Sequence, residues 1–327
     1  MMFEHILVPL DGSERAEQAI PVATRIARAT KGSVTLLHAA SLEFFYVPSH
    51  TLSSSYALLE AELAQARQYL ESTVRLEAFT DIKVHRVSLS GIAHQMILSY
   101  AKTQGVDLIV LCRHGSTGLK RWALGSVAQK VIRESPAPIL VLPEESQQAK
   151  PLCPDETSDI RLLVALDGSS LAETVLVSAV HLAAALASPQ RGQVHLLRVV
   201  PLLTREEEVI YQRYHISLEM RLALLSDAAS YLQVVSEKVT RELADGLGIG
   251  ISWSIKEGRD VAEMLLNMAE VSERITRERP YDAMALTTHG RSGWQRWLMG
   301  SITERVLAHA HLPLLIIRPQ AVQEQKS

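Results

Sequence analysis

The chain lacks most of what would mark a secreted, membrane-spanning or nucleic-acid-binding protein. Only two cysteines, Cys112 and Cys153, occur in 327 residues, so no disulfide framework can be built, and neither sits in a metal-ligand spacing. Aromatic residues are scarce at 5%, which argues against a base-stacking surface. The formal net charge is −3, so no global basic field draws the chain to nucleic acid or to an anionic membrane. The opening run MMFEHILVPLDGS carries Glu4 and no basic segment, unlike a secretory signal. The most apolar helix-like run, VLVSAVHLAAALA from Val175, is too short to span a bilayer and contains His181. There is no Gly-x-x-x-x-Gly-Lys-Ser/Thr, and GLGIG from Gly246 follows a helix, so neither a P-loop nor a dinucleotide fingerprint is supported. What remains is the expectation of a cytoplasmic globular protein, and 47% apolar with 21% charged residues suits it.

What is present is a repeat. HILVPLDGSERAEQAI from His5 aligns without gaps to RLLVALDGSSLAETVL from Arg161, with eight identities in sixteen positions. CRHGSTGLKRWALGS, Cys112 to Ser126, returns as TTHGRSGWQRWLMGS, Thr287 to Ser301. The first alignment has an offset of 156 residues and the second 175, so the second copy carries nineteen more residues between the motifs. Two blocks in the same order at both ends of each half mean duplicated domains rather than a solenoid. The expected division is a first domain over 1–143, a polar, proline-containing linker over 144–159, a second domain over 160–319 and a tail over 320–327.

Each half reads as alternating strands and helices. HILVPL, SVTLLHAA, KVHRVSLS, VDLIVLCR and ILVLP are strand-like in the first half; RLLVAL, QVHLLRVV, GISWSIKE, DAMALTT and LLIIRP follow in the second. Helical spacing of apolar residues fills the gaps, including long tracts from about Ala57 to Ala78 and from about Glu206 to Ala244. Strands that are apolar throughout, linked by helices, imply a parallel α/β sheet covered on both faces. In such sheets ligands bind outside the carboxyl ends of the strands. The repeated glycine motif lies there.

Gly115 and Gly290 follow the fourth strand, and Ser126 and Ser301 stand where the next helix begins. A helix start exposes unpaired N–H groups and a partial positive charge, and Gly-Ser lets an anion approach them closely. Phosphate fits that geometry best. Asp11 and Asp167, at the end of the first strand, are placed to accept from an amine or a ribose hydroxyl. A plainer reading stands beside this one: Gly125-Ser126 as a loop end with a serine cap, and Asp11-Gly12-Ser13 as an Asx turn and cap. LEFFYVPSH, Leu42 to His50, concentrates aromatics after the second strand and reads as a loop packed on its own domain, or alternatively as a lid or a partner surface.

VPLDGS, the His-Gly nine residues ahead of Gly-Ser, and PAPILVLP together resemble a universal stress protein domain, and the second half resembles one too. The chain is thus similar to a tandem universal stress protein over residues 3–143 and 160–319. That resemblance implies two five-stranded parallel α/β domains with strand order 3-2-1-4-5. It also implies ATP binding by members that carry Gly-x-x-Gly, nine residues, then Gly-Ser or Gly-Thr. Here the second and third glycines match as Gly115 and Gly125, and as Gly290 and Gly300, while Cys112 and Thr287 replace the first. Carried over residue by residue, Asp11 and Asp167 face the adenine and ribose, and Ala39 and Val199 meet the base. Gly115, Ser116, Gly125, Ser126 and Val127 cradle phosphates in one half, and Gly290, Arg291, Gly300, Ser301 and Ile302 in the other.

The expected function is a nucleotide-binding stress or signalling module, holding ATP or alternatively AMP or ADP, with Mg as a companion ion. It would report nucleotide state to a protein partner without fast catalysis. Two alternatives stay open: a scaffold that has lost its ligand, for which Cys112 and Thr287 argue, and a slow ATP hydrolase. No catalytic residue, metal ligand set, nucleic acid or membrane partner is expected. The apolar final strands lead to an expected intramolecular pseudo-dimer of the two halves, with a homodimer as a further assembly.

Overall fold

The computed structural model describes residues 2–40, 52–74, 77–113, 124–143, 152, 159–188, 191–202, 217–270, 279–289 and 299–319. The chain divides into two units, Met1–Cys153 and Pro154–Ser327. Unit 1 runs β1 (His5–Leu10), α1 (Glu14–Glu17), α2 (Ala19–Thr30), β2 (Ser33–Ala40), α3 (Leu52–Val74), a 3₁₀ turn (Glu77–Phe79), β3 (Lys83–Ser90), α4 (Ala93–Thr103), β4 (Leu108–Cys112), α5 (Ser126–Glu134) and β5 (Ile139–Leu142). Its strands are all parallel in the order β3-β2-β1-β4-β5. Unit 2 runs β6 (Ile160–Ala165), α6 (Ser170–Glu173), α7 (Val175–Ala187), β7 (Gly192–Pro201), α8 (Ser217–Val239), a π-helical turn (Thr240–Ala244), a short helical turn (Asp245–Leu247), β8 (Ile249–Gly258), α9 (Val261–Glu270), β9 (Ala283–Thr287), α10 (Ser301–His309) and β10 (Leu314–Ile317). Its parallel order, β8-β7-β6-β9-β10, repeats that of unit 1.

Burial explains the apolar strands. Ile6, Leu7 and Val8 have no exposed surface, nor do Leu162, Leu163 and Val164 at the same places in β6. Side chains on alternate faces are all covered, as they are when crossover helices pack on both sides of a parallel sheet. Helix α2 buries Ala19, Ile20, Val22, Ala23, Ile26 and Ala27, the 3.6-residue stripe that the sequence shows. The long helices depart from their expected bounds: α3 starts at Leu52 rather than near Ala57 and ends at Val74 rather than near Ala78, and regular α8 ends at Val239, where the π-helical turn replaces the last α-helical residues. Helix ends depend on caps and neighbours more than on periodicity.

The second apolar helix needs a correction of length. Helix α6 and α7 are joined through Thr174, and the stretch Ser170–Ala187 is, by length and composition, long and apolar enough to cross a membrane. It is 61% buried inside unit 2, where Ala179, Val180, Leu182 and Ala183 are fully covered. It is a core helix, apolar because it lies against the sheet.

The amino ends of the strands are held the same way in both units. The Asp107 carboxylate, just before β4, accepts the N–H groups of Glu4 (2.8 Å) and His5 (3.1 Å). Asp282, just before β9, accepts from Arg161 N–H at 2.8 Å. These bonds satisfy backbone donors at the start of the central strand. Burial pushes the Asp107 carboxyl up, against the pull of its two donors.

Helix α2 turns into β2 through Lys31, which is left-handed at φ 56°, and Gly32. A Cβ on Gly32 would lie 2.7 Å from the Glu4 carbonyl oxygen and 2.8 Å from the Glu4 Cα, so no side chain fits. The matching Gly192 is crowded chiefly by the Ile249 Cδ1 at 2.7 Å, the tip of a side chain, with the Ala183 carbonyl oxygen at 3.2 Å. Backbone cannot step aside as a methyl can. Gly32→Ala should therefore destabilise unit 1 by roughly 1–3 kcal/mol, the usual cost of overpacking, and Gly192→Ala should cost unit 2 less. Denaturant unfolding of the two variants measures both; equal losses would contradict the backbone origin of the first.

Candidate functional site

The first strand of each unit ends in Asp-Gly-Ser. Asp11 Oδ1 accepts from the Ser13 N–H (3.1 Å) and from the Ser13 hydroxyl (2.6 Å), and the Ser13 Oγ in turn accepts the Ala16 N–H at 3.2 Å. Unit 2 repeats this with Asp167, Ser169 and Ala172 at 2.9, 2.6 and 3.2 Å. Gly12 and Gly168 between them have φ of 83° and 87°, a conformation that favours glycine. The Asx turn and serine cap read from the sequence are both present. They fix a carboxylate at the carboxyl edge of the sheet while using one of its oxygens.

The helices after β4 and β9 start differently. Gly125 and Gly300 are the N-cap residues of α5 and α10, and neither helix has a side-chain cap. Ser126 and Ser301 are the first helical residues, so the serine-cap reading of Gly-Ser is corrected: the hydroxyls lie one position too late to cap. Among the described residues, no side chain caps the first-turn N–H groups of either helix, where the dipole is positive. The glycine backbones are extended at φ −58° and −60°, which any residue adopts. Space is the constraint instead, since a Cβ on Gly300 would stand 3.2 Å from the Thr288 carbonyl oxygen. That carbonyl accepts the Gly300 N–H at 2.8 Å, as Arg113 accepts that of Gly125 at 3.0 Å, tying each helix start to its strand exit.

Turn and helix start open into one cavity per unit. In unit 1 a cavity of about 140 Å³ is lined by Asp11, Ala39, Gly125, Ser126 and Val127, together with Ala93 and Ile97 from α4 and Cys112 and Arg113 from the end of β4. In unit 2 a cavity of about 320 Å³ is lined by Asp167, Val199, Gly300, Ser301 and Ile302, with Val261 and Leu265 from α9 and Thr287 from β9. Ten of the residues singled out in the sequence are thus brought together, five to a cavity. Gly115, Ser116, Gly290 and Arg291 lie outside the described residues, as does the aromatic segment Leu42 to His50.

Where the motif's first glycine is replaced, the two units diverge. Cys112 is half-buried on the cavity wall and takes part in no disulfide. Thr287 is buried, and its hydroxyl donates to the His289 carbonyl at 2.8 Å, closing the strand-exit turn on itself. Thr303 donates to the Thr287 carbonyl at 2.8 Å, a brace that Ala128 cannot supply in unit 1.

The sequence reading passed over a polar cluster behind each aspartate. Tyr69 on α3 donates to Glu17 Oε1 at 2.8 Å, and the His38 ring meets Tyr69 edge-on at 5.7 Å. Burial first, then Glu17, pushes the Tyr69 phenol up. In unit 2 the counterparts are Tyr231, Glu173 and Arg198. The Tyr231 hydroxyl is buried without a hydrogen bond among the described residues, yet burial and the nearby Glu173 carboxylate also push it up. Glu17 and Glu173 were visible as an identity in the first repeat block; their tyrosine partners, about fifty residues on, lay outside any gap-free alignment.

Comparison with known proteins follows the same repeat. The model of the universal stress protein family matches residues 2–143 and 161–318. Universal stress protein YxiE of Bacillus subtilis is 30% identical over 150 residues, covering 43% of this chain and 99% of that protein. A universal stress protein of Mycolicibacterium smegmatis is 22% identical over 340 residues, covering 96% of this chain and 97% of that protein, and so spans both units. The crystal structure of a universal stress protein from Archaeoglobus fulgidus has a TM-score of 0.63 at 17% identity, covering 98% of this chain and 100% of that one. That likeness is one of fold.

His38 carries a pH prediction. Burial pulls its pKa below the ordinary value of 6.5, against the opposing pull of Asp11 and Glu62. The folded ring is less basic than the unfolded one, so its contribution to stability is complete above 6.5 and is lost as pH falls through the lower folded value. Unit 1 should lose stability between about pH 7.5 and about pH 5, and His38→Asn should reduce that loss. Thermal unfolding at both pH values tests this; the same acid loss in wild type and variant would show that the ring titrates alike in both states.

Proposed function

The chain belongs to the universal stress protein family, and from that premise we propose that it is an adenine-nucleotide-binding module, one nucleotide to each unit, acting by binding rather than by fast catalysis. The observation that carries this reading is that α5 and α10 begin uncapped at a glycine inside a cavity that also holds the strand-one aspartate. Phosphates at such a helix start take hydrogen bonds from first-turn N–H groups and favourable charge from the helix dipole. In unit 1 those donors are the backbones of Ser126 and Val127 with the Ser126 hydroxyl; in unit 2 they are Ser301 and Ile302. Gly115 and Ser116, or Gly290 and Arg291, complete the cradle in this proposal. The base lies against Ala39 or Val199, and Asp11 or Asp167 accepts from its amine or from the ribose. Mg would accompany a triphosphate, and the occupied and empty states would be read by a protein partner of a stress or signalling pathway.

Unit 2 is the stronger candidate. Its cavity is the larger, and Arg291 adds a charge-assisted donor where unit 1 has Ser116. The competing reading, a scaffold without ligand, draws on Cys112 in the cavity wall and on Thr287 closing the strand-exit turn.

Valine at the helix start separates these readings. Gly300→Val places a branched side chain in the cavity, and calorimetry should register a loss of ATP affinity of at least about tenfold, near 1.4 kcal/mol. Gly125→Val should reduce binding less, because the unit 1 site is the weaker. Thermal unfolding controls for the 3.2 Å contact with Thr288. Undiminished ATP binding by the doubly substituted chain would remove the proposed site, and a wild-type chain that binds no adenine nucleotide would favour the scaffold.

A further inference from the structure

The two cavities place their cation differently: Arg113, at the exit of β4, lines the unit 1 cavity, and Arg198, in β7, lines that of unit 2. The residue ahead of the base-side Ala39 in β2 is His38, whereas ahead of Val199 in β7 it is Arg198. A Cβ on Gly12 would meet nothing within 4 Å, but one on Gly168 would stand 3.0 Å from the Arg198 Cζ and 3.1 and 3.2 Å from its terminal nitrogens. The guanidinium thus lies against the Asp167-Gly168 turn, in space that stays open in unit 1. It also stands over the Tyr231 ring, with its Cζ 5.2 Å from the centroid, a cation–π contact that orients its plane. Arg198 and Asp167 are the charged side chains among the described residues lining the unit 2 cavity. Beside Arg198 the lining continues to Val200, Pro201 and Leu224, so the larger cavity reaches toward α8.

Topology sets the order of these charges. Strand β6 lies between β7 and β9. Arg198, Asp167 and the start of α10 therefore follow one another across the sheet edge as positive, negative, positive. A single unbroken polyphosphate would have to run past the Asp167 carboxylate to use both positive groups. A ligand with two separate anionic groups would not.

We propose that the unit 2 cavity selects a nucleotide carrying a second anionic group apart from its 5′-phosphates, of which a nucleoside bisphosphate is the simplest. The 5′-phosphate binds at the start of α10, Asp167 faces the uncharged ribose and base, and Arg198 takes the second phosphate through its planar fork of donors. Unit 1 has His38 in place of Arg198, and its lining cation, Arg113, stands at the β4 exit rather than on the β2 side, so it lacks that discrimination. The inference rests on the cavity being a nucleotide site, and its test is built to fail separately.

The experiment uses the full chain carrying Gly125→Val to suppress unit 1. Calorimetry compares AMP, ATP, adenosine 3′,5′-bisphosphate and adenosine 2′,5′-bisphosphate at low and high salt. At least one bisphosphate should bind about tenfold or more tighter than AMP, with a gain that shrinks as salt rises. Arg198→His and Arg198→Gln should each cut the gain to less than about threefold while AMP and ATP affinities hold within about threefold. Thermal unfolding checks that both variants keep the fold without the Tyr231 contact. A bisphosphate that binds no better than AMP, or a gain that survives both substitutions, overturns the role of Arg198. If AMP and ATP bind and are lost in Gly300→Val, the nucleotide reading stands even then. If no nucleotide binds unit 2, both fall.

Discussion

The pairing of the first strand with the fourth is the contact on which both cavities depend. In unit 1 Ile6 and Leu7 pair with Leu108 and Ile109; in unit 2 Leu162, Leu163 and Val164 pair with Ala283, Met284 and Ala285. The sheet is wound outward in one direction to β3 and then resumes on the other side of β1. Helices leaving β1 and β4 therefore pass to opposite faces, and the loops at their carboxyl ends part to leave a crevice. Asp107 and Asp282 anchor the amino end of this pair, far along the strands from the crevice. Slip the register and the aspartate turn no longer faces the glycine helix start.

Burial holds that pairing in place at little cost in polar groups. The central strands are covered on both faces by aliphatic side chains, and their N–H and C=O groups are satisfied by neighbours on both sides. Polar chemistry is confined to the strand ends. There the chain uses compact devices: a carboxylate folded over its own turn, a glycine at a helix start, a carbonyl that receives the glycine N–H. Each of these devices is held by backbone or by a short side chain within a few residues of a strand end.

Duplication kept these devices and let the surroundings diverge. Unit 2 braces its helix start through Thr303 where unit 1 has Ala128, and replaces Arg113 with Thr288 and His38 with Arg198. The exchange moves a cation from the β4 side of the crevice to the β2 side. Two cavities of one architecture thereby present different charge patterns.

The strands, their parallel arrangement and the doubled plan were legible because they follow from local pattern: apolar runs bounded by turns, and a glycine motif seen twice. So were the aspartate turn and the residues that gather at each cavity, since all lie within a few positions of a strand end. Other features were decided by tertiary structure alone. Whether Ser126 and Ser301 cap their helices or begin them depends on where Gly125 and Gly300 bond across to Arg113 and Thr288. That Gly32 must be glycine depends on Glu4, twenty-eight residues earlier in the chain and in contact only through the sheet. Tyr69 finds Glu17, and Arg198 finds Gly168 and Tyr231, across helices and strands that no periodicity connects. Sequence alone determined which elements form, because hydrophobic period and turn chemistry act over a few residues. Which side chains meet at the crevice is set by register and crossover handedness, which act only once the sheet is closed.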